Sequence, residues 1–376
     1  MTKKRIFVTG GAGFIGTHLV NALASQVVEV HVYDNLLPQV HGEGARCPDF
    51  PANVRFVHGD VRDGIELERA LREAKPDIIY HLASETGTGQ SRDEIVRYCE
   101  VNVGGTSRLV DAVRRLENPP AHVILAGTRA VYGEGAYRNA QGSIVVPLPR
   151  TAEEMKAGKF SPRDQAGGAL HAIPTSEETP VAPASVYATT KLAQEYLLKQ
   201  GFDGTTIKPI ILRFQNVYGP GQSLRNPYTG VLSIFIGQIL RGQRLNIYED
   251  GEITRDFVFV QDVVQGLQLA ARSQLPGGAV INIGSGQGAT ILSVAQKLLK
   301  ILGRSEDELD ITGDFRPGDV RHAVADVSLA KMSLDWSSSV SLNEGLRLLA
   351  LSASPSTKSA RSSSETRFYP QPVLPS

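Results

Sequence analysis

Short β-branched and aliphatic runs alternate with amphipathic stretches through the first half of the chain. Residues 5–8 read as a strand and Phe14–Ala24 as a helix; further strands fall at 27–33, Val54–His58, 78–82 and 123–126. Strands separated by helical segments predict a parallel sheet built from right-handed crossovers. Near-continuous apolar strands predict a sheet covered on both faces. The fold class is therefore α/β, a doubly wound parallel sheet of the Rossmann kind. In the second half, 210–214, 257–260 and 280–283 are strand-like, while Val231–Leu240, a stretch from Asp262 and residues 291–302 are helical. These predict the last part of the sheet and a smaller C-terminal α/β unit across its edge.

Two stretches break the pattern. Residues 135–183 are rich in Gly, Pro and charge and hold no period, and so long an irregular insert is often functional. The Ser/Pro-rich tail, 352–376, lacks the apolar surface to offset its chain entropy and is expected to be disordered. The division expected is 1–217 as a nucleotide-binding unit, with its sheet completed by about 253–283. Residues 218–252 and 284–351 would form the second unit.

Composition removes several classes. The 376 residues carry 39 Lys+Arg against 39 Asp+Glu, and a balanced charge without a basic run argues against nucleic acid as a partner. Two cysteines, Cys47 and Cys99, make neither a disulfide scaffold nor a four-thiolate zinc site, so no metal is expected. No apolar run approaches the roughly 20 residues of a membrane span. The basic start resembles a signal peptide, but its apolar run breaks at Thr9-Gly10-Gly11 and reads as a first strand. A cytoplasmic protein with no membrane partner is the expectation.

Candidate chemistry starts at the first turn. Thr9-Gly10-Gly11-Ala12-Gly13-Phe14-Ile15-Gly16 follows a strand and opens a helix, with glycines at 10, 13 and 16. Gly10 permits the tight turn, Gly13 lets backbone N–H groups approach a pyrophosphate, and Gly16 lets helix and sheet pack closely. Asp34 ends the second strand, where a carboxylate hydrogen-bonds adenosine ribose hydroxyls and repels a 2′-phosphate. The cofactor expected is NAD.

Tyr187-Ala188-Thr189-Thr190-Lys191 places Tyr and Lys on one helical face. Such a pair arises by chance in roughly half of chains with this composition, so its meaning depends on the cofactor site. A free tyrosine, with a pKa of about 10, is phenolate in about one molecule in a thousand at pH 7. A lysine about 4 Å away supplies up to ~4 kcal/mol and predicts Tyr187 as a general base near neutrality.

Together with Gly59-Asp60, His81-Leu82-Ala83-Ser84 and Thr128, these motifs resemble the extended short-chain dehydrogenase/reductases, over nearly the whole chain except its tail. The resemblance implies that Asp60 and Val61 lie at the adenine, with Asn35 beside Asp34. It implies Leu82, Ala83 and Ser84 near the nicotinamide ribose, Asn102 in the active-site shell, Lys191 on that ribose, and Thr128 on the reacting hydroxyl. His81 reads equally as a packed strand-end histidine. Arg213-Phe214-Gln215-Asn216-Val217-Tyr218-Gly219-Pro220, Arg255-Asp256-Phe257-Val258 and Arg316-Pro317-Gly318-Asp319 resemble nucleotide-sugar members. There Asn216, Arg255 and Arg316 would bind the diphosphate and Asp319 the nucleotide ribose; two guanidiniums suit that dianion.

In that family, dehydratases carry an Asp-Glu pair after the position of Thr128. Here Arg129-Ala130 follow, which favours epimerisation over dehydration. The stretches 34–42, 89–91, 103–106, 132–137 and 226–230, with the long insert, resemble the dTDP-L-rhamnose 4-epimerase group. The pair implied is dTDP-L-rhamnose and dTDP-6-deoxy-L-talose. Relatives of that group carry paired cysteines in the insert, where this chain has Asn139 and Asp164-Gln165-Ala166-Gly167. A UDP-glucose/UDP-galactose 4-epimerase is the alternative substrate reading; a dehydratase or reductase and a non-catalytic NAD-binding regulator rank below it. The resemblance also implies a homodimer through helices at about 91–116 and 185–199.

Overall fold

In the computed structural model, which describes residues 4–26, 28–223, 230–316 and 318–353, seven strands form one parallel sheet. They are β1 Lys4–Thr9, β2 Val28–Asp34, β3 Val54–His58, β4 Ile78–His81, β5 His122–Thr128, β6 Lys208–Phe214 and β7 Ala279–Ile283. Their order across the sheet is β7-β6-β5-β4-β1-β2-β3. The order reverses between β1 and β4, which opens a crevice at the C-terminal ends of the strands. Ile6 and Val8 of β1 enter one core with Leu19, Val20, Leu23, Val263 and Leu267; Phe7 enters the opposite core with Leu67, Leu71, Leu109 and Leu198. Burial of both faces explains the unbroken apolar runs.

A third core, with Leu232, Phe235, Ile236, Val294, Leu298 and Leu346, belongs to the smaller C-terminal unit. Here one expectation is corrected. Of residues 253–283 only β7 adds a strand to the main sheet. Thr254–Phe259 pairs instead with Asn216–Tyr218, Gly288–Thr290 and His322–Ala323. The reason is packing: the rings of Phe257 and Phe259 meet Tyr218 at 6.1 and 5.4 Å inside the third core.

The insert is ordered. Tyr137–Arg138, Ile144–Val145 and His171–Ala172 form a small antiparallel sheet, and Ala152–Lys156 is a helix with a Thr151/Glu154 capping box. Strands of two residues are too short to leave a period in the sequence. Asn139 and Asp164 each close a turn, accepting backbone N–H bonds from residues 141 and 143 and from 166 and 168. The helix expected at 91–116 runs over 95–114 with a π-helical turn, Cys99–Gly104, inside it, and a separate short turn, Thr88–Ser91, precedes it. The last helix, Leu342–Ala353, includes two residues expected in the tail, because its buried Leu346, Leu349 and Ala350 carry it onward. Residues 354–376 lie outside the described residues, as do 226–229.

Candidate active site

The Gly-rich turn sits at the crevice. Gly10 has φ +70, and a Cβ there would stand 2.5 Å from the Ala83 nitrogen. A Cβ on Gly16 would stand 2.3 Å from the Gly10 carbonyl, so helix and turn are in direct backbone contact. Gly13 is the N-cap of Phe14–Ala24 and offers no side-chain cap, which leaves the first helical N–H groups for an anion. Phe14 and Ile15 follow in that first turn, with the Phe14 ring edge-on to His18. Asp34 is buried and braced from both sides. One carboxylate oxygen accepts the Ala12 N–H (3.0 Å) and the other the Leu36 N–H (2.9 Å). Asn35 donates to Asp60 (2.9 Å), which Arg62 also grips through side chain and backbone. Burial alone would raise the Asp60 pKa, but these bonds hold it at about 2. Val61 is buried against Gly105, whose Cβ would stand 2.7 Å from it.

These residues fit a dinucleotide: a backbone cradle that only glycine permits, uncapped helical N–H groups and an oriented carboxylate at the end of the second strand.

A second set of residues lies past β4. The Leu82 N–H donates to the Thr9 carbonyl and the Ala83 N–H to the Thr9 hydroxyl. Ser84 donates to the Asn102 Oδ1 (3.0 Å), which also accepts the Glu85 N–H (2.8 Å). Asn102, fully buried in the π-helical turn, donates to the Thr190 hydroxyl, which donates to the Tyr187 carbonyl. Asn102 thus joins the loop after β4 to the helix Val186–Gly201 that presents Tyr187 and Lys191. Lys191 is 3% exposed, and its ammonium donates to Ser84 (3.4 Å). Burial lowers its pKa to about 7 against the opposing attraction of Glu195.

Thr128, at the C-terminal end of β5, acts on the Tyr187 phenol. Burial raises the Tyr187 pKa; the Thr128 hydroxyl and the Arg129 charge oppose it. Lys191 donates to Ser84, and the Arg129 guanidinium is fixed on the Gly133 carbonyl (2.6 Å). The sequence after Thr128 signals only the carboxylates it lacks, so spacing does not single out Arg129. His81 is a packed residue: its nitrogens meet Thr9 (2.7 Å) and Thr106 (2.9 Å), and burial lowers its pKa to about 3.

Of the expected substrate residues, Arg255, Arg316 and Asp319 gather on the smaller unit. Arg255 is buried and donates to Asp319 (2.6 Å). Arg316 is exposed, its guanidinium 5.1 Å from the Tyr248 ring centroid, and its carbonyl accepts the Asp319 N–H (3.1 Å). The structure therefore joins Arg255 to Asp319, with Arg316 on the same turn but facing Tyr248. Asn216 opens the strand beside Phe257.

Residues 6–284 match the model of the NAD dependent epimerase/dehydratase family. The chain belongs to that family. It is 40% identical to a dTDP-L-rhamnose 4-epimerase of Burkholderia thailandensis, over 91% of this chain and 93% of the relative. It is 32% identical to a UDP-glucose 4-epimerase of Mycolicibacterium smegmatis, over 91% and 96%. Among solved structures, the UDP-glucose 4-epimerase of Thermus thermophilus in complex with NAD superposes with a TM-score of 0.73 at 30% identity, covering 93% of this chain and 98% of that one. The family is NAD-dependent, in keeping with the cradle and with Asp34. Among the described residues no helix is long and apolar enough to cross a membrane.

Proposed function

We propose that this chain is an NAD-dependent nucleotide-sugar 4-epimerase that interconverts dTDP-L-rhamnose and dTDP-6-deoxy-L-talose. The observation that carries the reaction type is that Thr128, which acts on the Tyr187 phenol, is followed by Arg129 and Ala130 and not by two carboxylates. The acids nearest in sequence are committed elsewhere: Glu134 to Arg150 and to the Arg321 N–H, Glu195 to Arg213. Elimination of water needs a further acid and base; epimerisation does not.

In this reading Gly10, Gly13, Phe14, Ile15 and Gly16 receive the pyrophosphate, and Asp34 with Asn35 the adenosine ribose. Asp60 and Val61 flank the adenine, and Leu82 to Ser84 with Lys191 hold the second ribose. Bound NAD supplies the hydride acceptor and, in the return step, the donor. Thr128 holds the sugar 4-hydroxyl, and the Tyr187 oxygen takes its proton as the 4-keto sugar forms. The pocket lets the keto sugar present its other face, and Tyr187 returns the proton. Asn216, Arg255, Arg316 and Asp319 hold the nucleotide diphosphate.

The dTDP-6-deoxy sugar rests on the 40% identical relative. UDP-glucose is the competitor, because the 32% identical relative bears that name. Incubation with each nucleotide sugar, with products resolved by NMR, is expected to give dTDP-6-deoxy-L-talose from dTDP-L-rhamnose. Conversion of UDP-glucose with dTDP-L-rhamnose untouched rejects the substrate assignment.

The units assigned are 1–217 with β7 for NAD, and 218–252 with 284–351 and the strand Thr254–Phe259 for substrate. A cytoplasmic homodimer completes the proposal. Exposed Val96 and Tyr196, on helical segments packed side by side, support the dimer.

A further inference from the structure

Arg150 belongs to the insert, yet its guanidinium is shared among three segments outside it. Nε donates to Glu134 (3.2 Å), Nη1 to both oxygens of Glu249 (2.8 Å each), and Nη2 to the backbone carbonyl of Asp319 (2.8 Å). Within the insert, Nη1 also reaches the Phe160 carbonyl (2.9 Å). The side chains of Arg150, Glu134 and Glu249 are 2%, 3% and 1% exposed. Arg321 closes the cluster. It pairs with Glu249 (2.9 Å) and Asp250 (2.6 Å), and its N–H donates to Glu134 (2.8 Å).

A buried ion cluster is a poor way to gain stability, since apolar packing of the same volume anchors an insert as well or better. What the guanidinium fork adds is direction. Asp319 is held at its carbonyl by Arg150 and at its N–H by the Arg316 carbonyl. Its Oδ1 then accepts from Arg255 (2.6 Å) and from the Val320 N–H (2.9 Å). Fixing that backbone fixes where the carboxylate meets Arg255.

We propose that Arg150 is a positioning residue: by holding the Asp319 carbonyl it sets the Asp319–Arg255 pair, so that the insert governs affinity for the nucleotide diphosphate. This rests on the reading of Arg255 and Asp319 as nucleotide ligands. Glu134 and Glu249 orient Arg150, and Arg321 keeps those acids in place.

The test uses the full, NAD-loaded chain as wild type, Arg150→Lys, Arg150→Met and Arg255→Ala. Calorimetry gives dTDP affinity, and steady-state kinetics gives kcat and KM for dTDP-L-rhamnose. Lysine keeps the charge but not the fork. Either Arg150 variant is expected to bind dTDP at least about tenfold more weakly and to raise KM by the same factor. Its kcat stays within about threefold of wild type, and NAD affinity is unchanged. A merely structural role would lower the active fraction and leave KM alone. If Arg255→Ala loses dTDP affinity while a folded Arg150 variant keeps it, the inference fails alone. If Arg255→Ala keeps dTDP affinity, the clamp reading fails and takes the inference with it. Hydrogen exchange on the wild-type chain is independent of variant folding. Added dTDP is expected to protect residues 148–160 together with 318–321, and protection of 318–321 without the insert refutes the coupling.

Discussion

At the scale of the residue, the Tyr187 phenol feels a cation that spacing does not single out. Burial pushes the Tyr187 phenol up, and Thr128 and Arg129 act against it. Arg129 favours the phenolate, so its removal raises the pKa of the base. A base works only when deprotonated, and the acid limb of the rate profile follows that pKa. Arg129→Gln is therefore expected to move the acid limb of kcat for dTDP-L-rhamnose to higher pH. An unmoved limb would remove Arg129 from the chemistry. Tyr187→Phe is the benchmark: NAD binding is kept and turnover falls by about 10²–10⁴-fold; turnover near wild type would retire Tyr187 as acid/base. Tyr187 and Lys191 were legible because one helical turn separates them. The field of Arg129 was not, since it depends on how the Gly133 carbonyl orients a guanidinium.

At the scale of the element, the first turn and helix illustrate what spacing can carry. The spacing of the three glycines predicts turn, approach and packing, and the geometry separates them. Gly10 needs its positive φ, and Gly16 has no room for a Cβ beside the Gly10 carbonyl and the Gly11 backbone. Backbone cannot yield as a flexible side chain does, so the helix start must shift. Gly16→Ala is accordingly expected to weaken NAD binding by at least about tenfold and to lower the urea midpoint; wild-type NAD affinity, measured by fluorescence titration, would contradict the close-contact account. Parallel strands were equally legible, since burial on both faces writes a continuous apolar run. The destination of Thr254–Phe259 was not. Its pattern is that of a central strand, and only the Tyr218, Phe257 and Phe259 rings draw it into the second sheet. The insert was legible only as an interruption, because its strands are two residues long and its buried Arg150 meets Asp319 across 169 positions.

At the scale of the whole molecule, the fold holds charge inside that it disfavours, and the sign of each contribution sets its pH window. Lys191 has a folded pKa of about 7 against an ordinary 10.5, so the folded state resists its protonation. The resulting destabilisation is complete below pH 7 and disappears as pH rises toward 10.5. At about 1.36 kcal/mol per pKa unit it amounts to several kcal/mol. His81 and His322, held neutral by burial at about 3 and 4, act in the same direction below pH 6.5. A residue that costs stability where it is most charged is retained for what it holds, here the Ser84 side of the cofactor crevice. Lys191→Met is thus expected to be more stable than wild type in urea at pH 6.5, by a margin that shrinks at pH 9, while its turnover collapses. A margin independent of pH, or greater at pH 9, would show that buried charge is not the cause.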